Sequence, residues 1–208
     1  MVRRTKEEAQ ATRNRILDTA EMVFLEHGVS RTTLQQIAAA AGVTRGAIYW
    51  HFRDKAELFN AMMERVTLPL EQGVKGSDDP SVDAPLLHVR KSFLTALRLT
   101  VNDPQVRRVF EIATHKVEYV DELQAVRDRH LTIRNDVLAH VERGLKMAAK
   151  RGQIKRRIPP RAAALGLHAL ADGLIQNWML DPTAFDLVKV GTQVFDTYID
   201  SLVAPTSR

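Results

Sequence analysis

The chain has 208 residues, of which 45% are hydrophobic, and a formal net charge of +5. This length allows one large domain or two modest ones, and the apolar content suits a folded core, so a disordered chain is not expected. The absence of cysteine excludes disulfides, thiolate metal ligands and a cysteine nucleophile. The polar N-terminus and the lack of any apolar run of about eighteen residues predict a cytoplasmic protein without a signal peptide or membrane span.

Apolar residues recur at three-to-four spacing along most of the chain, without a long alternating run of Val, Ile and Thr, which predicts an all-α fold. Gly28 is suited to end the first helix. Thr32 and Thr33, followed three residues on by Gln35 and Gln36, form a capping-box pattern for the second. A stretch rich in Gly, Ser, Asp and Pro predicts a loop at residues 71–85. Nine helices are predicted. Seven of them cover about residues 6–27, 44–51, 85–101, 104–114, 120–150, 160–180 and 185–202. The second helix begins at about residue 32, and the fourth begins at about residue 54 and continues up to this loop.

The stretch TTLQQIAAAAGVTRGAIYWHF, residues 32–52, combines two short helices with a tight break at Gly42. Gly42 can adopt the left-handed conformation of such a turn, and the small Ala38 lets the second helix cross close over the first. This pattern predicts a helix-turn-helix, whose second helix lies in the DNA major groove with its first turn at the base edges. Val43, Ala47 and Ile48 then face inward, and the outward residues are Thr44, Arg45, Gly46, Tyr49 and Trp50, with His51 just beyond.

The residue types on this outward face suit contacts with DNA. Arg45 is the one long, forked donor in the first turn and suits O6 and N7 of guanine, and Gly46 lets the helix approach the groove. Trp50 and Phe52, in contrast, are interpreted as mainly structural. Phosphate contacts are predicted for Thr33, Thr44, Tyr49, His51 and Lys55, the last at the first turn of a helix. A flexible arm containing Arg3 and Arg4 is predicted to reach the DNA backbone or the minor groove.

The charge of the N-terminal segment agrees with a polyanionic partner. Residues 1–55 contain nine Lys and Arg against six Asp and Glu, which is more than half of the excess positive charge of the chain. Helix-turn-helix spacing also occurs by chance. Spacing and charge alone therefore leave DNA binding and a purely structural reading of these helices both open.

The segment RILDTAEMVFLEHGVSRTTLQQIAAAAGVTRGAIYWHFRDKAELF resembles the DNA-binding domain of the TetR family of bacterial repressors, most distinctively in TTLQQIA, AGVTRGAIYWHF and KAELF. The opening MVRRTKEEAQATR is similar to the AcrR-type branch, whose members are local repressors of multidrug efflux pumps. The resemblance implies a nine-helix subunit of a homodimer, with a helix-turn-helix domain at residues 1–55 and a ligand-binding and dimerisation domain at residues 56–208. It also implies operator DNA as a partner, and release from it by hydrophobic or aromatic effectors.

The predicted helix at residues 160–180 has no Lys, Arg or Glu after Arg161. A helix that is apolar nearly all round is buried on several sides. One subunit of this size covers such a helix poorly, so we expect an oligomer interface here. The TetR resemblance implies that the oligomer is a homodimer and that this helix and the last one form its interface. The residues predicted at the interface are Ala162, Gly166, Ala169 and Gly173 of the first of these helices, and Val190, Val194 and Tyr198 of the second.

His168 and Asp172 lie four residues apart and so share one face of the same helix. A carboxylate in an apolar helix needs partners, so the pair either serves packing or faces a partly wet ligand cavity, and the TetR resemblance favours the cavity. An apolar cavity with a carboxylate suits flat, hydrophobic and aromatic compounds. The residues predicted to line it are Val66, Phe93, Ala96, Leu97, Phe110, Thr114, Val137, Val141, His168, Asp172, Ile175 and Trp178.

Other functions agree less well with the sequence. It contains no glycine-rich phosphate loop, metal-ligand cluster or nucleophile motif, so we expect no catalytic activity, no cofactor and no metal. A DNA protein without sequence preference should carry a larger positive charge. Activation of transcription, or control of another pathway, stays open as an alternative to efflux repression, because each acts through the same DNA-binding unit.

Overall fold

The computed structural model describes residues 6–75, 84–118, 120–154 and 158–203. Within these ranges the chain forms nine α-helices and a short 3₁₀ helix at Asp121–Leu123, without any β-strand. The predicted all-α, nine-helix fold is confirmed. The helices are α1 (Lys6–His27), α2 (Leu34–Ala40), α3 (Arg45–His51), α4 (Lys55–Lys75), α5 (Pro85–Asn102), α6 (Pro104–His115), α7 (Gln124–Lys150), α8 (Pro160–Leu180) and α9 (Leu187–Leu202).

Local sequence signals explain several of these limits. The predicted capping box is present: the hydroxyl of Thr33 accepts a hydrogen bond from the N–H of Gln36, whose side chain accepts one from the N–H of Thr33. Gly28 follows α1 with a φ of 80°, in the region that favours glycine. The predicted start of the loop at residue 71 is wrong because α4 continues to Lys75. A single glycine such as Gly73 costs a helix only about 1 kcal/mol. Residues 76–83 of that loop lie outside the described ranges.

The described chain divides into two compact units. The first contains the chain up to Val66 together with Arg108–Leu131, and the second contains Thr67–Arg107 and the chain from Thr132 onward. Helices α4, α6 and α7 therefore each contribute residues to both units. The boundary predicted between residues 55 and 56 separates a DNA-binding domain from a ligand-binding domain and does not coincide with the limits of these two units. That functional boundary stays a prediction.

The core of the first unit is built from the inner faces of its N-terminal helices. Ile16, Leu17 and Phe24 of α1 are fully buried, and the ring centroids of Phe24 and Phe59 lie 6.1 Å apart. These apolar contacts fix α1 against α4. They also hold the start of α4 close to the helix-turn-helix that precedes it in the chain.

A buried carboxylate adds a polar connection to this core. Glu21 of α1 is only 2% exposed, and its oxygens lie 3.4 Å from Nη2 of Arg108 and 3.8 Å from Nη1 of Arg65. Because a buried carboxylate needs compensating partners, the two arginines explain how Glu21 is accommodated in the core. The cluster links α1, α4 and the part of α6 that belongs to the first unit.

The core of the second unit is formed where α5 packs against α9. The rings of Phe93 and Phe195 stack with centroids 5.3 Å apart. Gly191 lies so close to Leu97 that an added Cβ would collide with the Leu97 side chain. Phe93 and Leu97 thus pack against α9, and the ligand-lining role predicted for them stays a prediction.

Candidate DNA-binding and effector sites

Helices α2 and α3 are joined by a short turn at Gly42. Gly42 has a φ of 63°, in the left-handed region that favours glycine, and the N–H of Val43 donates to the carbonyl of Ala38 at 3.0 Å. Ala38 and Ile48 are buried between the two helices, whereas Val43 and Ala47 are half-buried. The predicted helix-turn-helix is present, with Ile48 as its main inward anchor on α3.

The outer face of α3 presents the residues predicted to contact DNA. Thr44 caps the helix, and its hydroxyl oxygen accepts a hydrogen bond from the N–H of Ala47 at 3.1 Å. Arg45 is exposed, and its guanidinium carbon lies 5.6 Å from the ring centroid of Tyr49. This cation–π contact limits the conformations of Arg45. A donor that is already ordered loses less entropy when it binds.

Gly46 has no packing partner that would explain the absence of a side chain. A Cβ added there would meet only Thr44 Oγ1, at 4.0 Å. Gly46 is also exposed, and a glycine inside a helix lowers helix stability. Packing within the described residues therefore does not account for a glycine at this position. The predicted close approach of the helix to DNA does.

Trp50 lies on this outer surface, and the structural role predicted for it is wrong. The residue is 74% exposed, with its ring edge-to-face against His51 at a centroid distance of 4.6 Å. Phe52 is buried, as predicted, and the guanidinium of Arg13 lies 5.1 Å from its ring centroid. Large aromatic side chains are usually well buried, which made Trp50 look structural. Its outward position, in contrast, was predicted from the helical period, because two residues after the inward Ile48 a side chain points outward.

Lys55 has a structural role, which differs from the phosphate contact predicted for it. The residue is only 5% exposed. Its ammonium donates to the carbonyls of Ser30 and Thr32, both at 2.9 Å, and lies 3.2 Å from Oε1 of Glu122. An ammonium has three donors, and these three oxygens occupy them. The side chain of Lys55 therefore holds the turn before α2 to α4 and is not available to a phosphate.

Two other predicted contacts depend on groups outside α3. The hydroxyl of Thr33 donates to Oε1 of Gln36 at 2.9 Å and accepts from its N–H at 3.2 Å. If this hydroxyl donates to a phosphate, it gives up its bond to Oε1 of Gln36. The phosphate contact of Thr33 stays a prediction. Arg3 and Arg4 lie outside the described residues.

The surface predicted for dimerisation lies on α8 and α9. Ala162 and Ala169 are exposed, and a Cβ added at Gly173 would meet no atom of the described residues within 4 Å. Gly166 differs, because an added Cβ would collide with the ring of Tyr198 in the same chain. The small size of Gly166 is thus explained by the crossing of α8 and α9 within one subunit, and its place at the dimer interface stays a prediction. The interface residues predicted on α9, namely Val190, Val194 and Tyr198, are half-buried in the single chain.

The predicted effector residues of the second unit are mostly buried, with Asp172 as the exception. The side chain of Asp172 is 53% exposed, and its Oδ2 lies 3.5 Å from Nδ1 of His168. The premise that this carboxylate is buried is wrong, because it lies on the same exposed face of α8 as Leu165 and Ala169. Trp178 is only 5% exposed, and the guanidinium of Arg107 lies 4.8 Å from its ring centroid. Of the other residues predicted there, Val141 and Ile175 are buried, and Ala96, Val137 and His168 are half-buried.

Three predicted effector residues belong to the first unit. Val66 is buried and Phe110 is half-buried. Thr114 is exposed, and its hydroxyl donates to the carbonyl of Phe110 at 2.7 Å, within α6. A contact of these three residues with a ligand stays a prediction.

Comparison with known proteins assigns the chain to a family. The model for bacterial regulatory proteins of the tetR family matches residues 16–62, the segment that contains α2 and α3. The model for the C-terminal region of MAATS-type transcriptional repressors matches residues 84–204.

The chain belongs to the TetR family.

Individual relatives of this TetR-family chain match over nearly its whole length. The transcriptional regulator TtgR of Pseudomonas putida is 40% identical over 209 residues, which cover 100% of both chains. NalD of Pseudomonas aeruginosa has 36% identity and a TM-score of 0.85, over 93% of this chain and 97% of NalD. SmeT of Stenotrophomonas maltophilia has 34% identity and a TM-score of 0.83, over 95% of this chain and 93% of SmeT.

Family membership establishes the class of function. Members of the TetR family are DNA-binding transcription regulators and not enzymes, so this chain is a transcription regulator. Among the described residues, the His, Asp and Glu side chains form no group that could hold a metal ion. None of the described helices is both long and apolar enough to cross a membrane.

Proposed function

We propose that this TetR-family regulator represses a multidrug efflux operon and is released from its operator by hydrophobic or aromatic compounds. The supporting relatives are NalD, a secondary repressor of the MexAB-OprM multidrug efflux pump, and SmeT, the repressor of the SmeDEF pump. SmeT has also been solved as a complex with triclosan. The observation that carries the proposal is that both similarities span the DNA-binding helices and the C-terminal helices together.

The proposed DNA target is a pseudo-palindromic operator. In a two-fold symmetric dimer the two copies of α3 face equivalent half-sites, whose centres lie about 10 base pairs apart or a multiple of that. Each copy presents the ordered Arg45 to the base edges, with Tyr49 and His51 nearby for phosphates. We place this activity in the cytoplasm, where bacterial operator DNA is found.

The dimer required by this proposal can be tested at Gly173. Replacing Gly173 with leucine is expected to weaken the dimer and leave the subunit folded, because the residue has open space around it in the single chain. Light scattering over a range of concentrations would measure the association, and circular dichroism would confirm the helical content. A Gly173→Leu protein that stays dimeric at all accessible concentrations would show that the interface lies elsewhere.

Gly166 provides the control for the dimer experiment. Gly166→Ala forces a collision with Tyr198 inside the subunit, and overpacking of this kind costs about 1–3 kcal/mol. This variant is therefore expected to lower the free energy of unfolding of the subunit itself. Comparison of the two variants should therefore distinguish an effect on the stability of the subunit from an effect on dimer association.

The effector proposal predicts mutual antagonism between operator and ligand. The probe is triclosan, and the DNA is a fluorescent duplex containing the sequence upstream of the gene for this protein. Triclosan is expected to weaken DNA binding by a factor of about 5 to 150, and DNA must weaken triclosan binding by the same factor because the coupling is reciprocal. Anisotropy would measure the first effect and calorimetry the second.

Two outcomes would contradict parts of the proposal. Equal affinity for the upstream sequence and for a scrambled duplex would exclude specific operator binding. Unchanged operator affinity at saturating triclosan would exclude release by this effector, since a ligand shifts a conformational equilibrium only if it binds one state better. A reporter gene then separates repression from activation, because deletion of the regulator raises expression of a repressed gene and lowers that of an activated one.

A further inference from the structure

Arg53 is an exposed cation at the end of the recognition helix that sequence reasoning did not assign to DNA. It follows Phe52, which is buried and whose N–H donates to the carbonyl of Ile48 at 2.9 Å. The backbone of Arg53 is therefore fixed by its buried neighbour. Its side chain, in contrast, is 84% exposed.

Glu57 orients the side chain of Arg53. One carboxylate oxygen, Oε2 of Glu57, accepts from the backbone N–H of Arg53 at 2.8 Å and from its Nε at 3.0 Å. The bond from this backbone N–H is the main reason that the pKa of the Glu57 carboxyl lies below its ordinary value, so Glu57 is ionised at neutral pH. The inner edge of the guanidinium is thus occupied, and its two terminal nitrogens have no partner among the described residues.

We infer that Arg53 binds a DNA phosphate at the border of the major groove that α3 enters. This inference rests on the proposed operator binding and adds a contact outside α3. A guanidinium held at Nε and exposed at its terminal nitrogens is suited to two parallel bonds with phosphate oxygens. Such a contact fixes the register of α3 and carries no base information.

The length of α3 explains why this contact falls on the backbone and not on a base. The helix has seven residues, which at about 1.5 Å per residue gives about 10 Å. The major groove is about 8.5 Å deep. If Arg45 in the first turn reaches the base edges, a residue just beyond the last turn lies at the level of the phosphates.

The acidic neighbours of Arg53 are engaged within the protein. Oδ1 of Asp54 accepts from the N–H of Glu57 at 2.7 Å and caps α4, and Glu57 is held by Arg53 itself. Arg13, above the ring of Phe52, adds a second positive charge next to this turn. The two carboxylates therefore order the turn, and the exposed charged side chains at its surface are those of Arg53 and Asp54.

The test is the salt dependence of operator binding by the full-length Arg53→Ala protein. Each phosphate contact contributes about 0.9 to the slope of log K against log salt, and the dimer carries two copies of Arg53. We expect the slope to fall by about 2 and the affinity to fall on the order of tenfold, equally for all variants of the operator sequence. The neutral variant Arg53→Gln should behave in the same way, which covers a failure of the alanine protein to fold.

The matched control is Arg98→Ala, which removes an exposed arginine from α5. This control should keep the slope of the wild type within experimental error. If Arg53→Ala or Arg53→Gln binds with the slope of Arg98→Ala, the inference is overturned, although operator binding by the wild type would still stand. A wild type without salt-dependent operator binding would instead overturn the proposed function.

Discussion

Replacing Lys55 with methionine is expected to lower the free energy of unfolding by about 2–4 kcal/mol. This is the net value of two charge-assisted hydrogen bonds, because water binds the ammonium and the carbonyls in the unfolded chain and offsets part of the loss. The buried ammonium donates to the carbonyls of Ser30 and Thr32. Methionine fills a similar volume with an unbranched apolar chain but donates nothing. The two carbonyls lose a charged donor inside the protein, so the turn before α2 loses its attachment to α4.

Chemical denaturation of the wild type and of Lys55→Met would measure this effect. The control is Glu122→Gln, since the side chain of Glu122 is 61% exposed and glutamine keeps an oxygen that can accept from the Lys55 ammonium. The control should therefore change stability much less than Lys55→Met. Unchanged stability of Lys55→Met together with a smaller salt dependence of DNA binding would restore the phosphate role first predicted for Lys55.

Lys55 shows why burial was hard to predict from sequence, whereas for Trp50 the outward position was predicted and only its role was wrong. Lysine is rarely buried and tryptophan is usually well buried, and each residue here does the opposite. Burial of Lys55 depends on carbonyls some 25 residues earlier in the chain and on Glu122. No local pattern contains those partners, whereas the position of Trp50 relative to Ile48 was already present in the helical period.

Helix limits were predictable wherever a local group sets them. The bounds of α1 and α8 agree with the prediction, and the caps at Thr33 and Thr44 are made by side chains within three residues of the N–H groups that they bind. The start of α7 was placed too early, because residues 121–123 form a 3₁₀ turn before it. Caps made by a nearby side chain can thus be predicted from sequence. The change from a 3₁₀ turn to an α-helix before α7 has no such local signal.

The contacts between different helices were harder to predict from sequence than the residues that share one face of a helix. The small residues of α8 were recognised as one stripe, yet only the structure separates Gly166, which packs on Tyr198, from the open Gly173. Periodicity identifies which residues share a face. It does not identify which helix covers that face, and for this reason the packing of Phe93 and Leu97 on α9 was not predicted.

Arg45→Ala is expected to remove discrimination at particular base pairs of the operator, at about 1–3 kcal/mol for each contacted pair. Arg45 is exposed in the first turn of α3 and is ordered by Tyr49. Its planar fork can donate to O6 and N7 of one guanine, which no other base pair matches in the same geometry. The loss should therefore appear only at the position that this side chain reads, in both half-sites.

Anisotropy titrations with a panel of single-base operator variants would locate that position. Arg45→Lys is the matched control, because lysine keeps the positive charge and loses the planar fork. It should retain the salt dependence of the wild type while losing most of the discrimination at the same base pair. If Arg45→Ala instead weakens binding to every operator variant equally, as expected for Arg53→Ala, then Arg45 contacts phosphate and another residue on the outer face of α3 reads the bases.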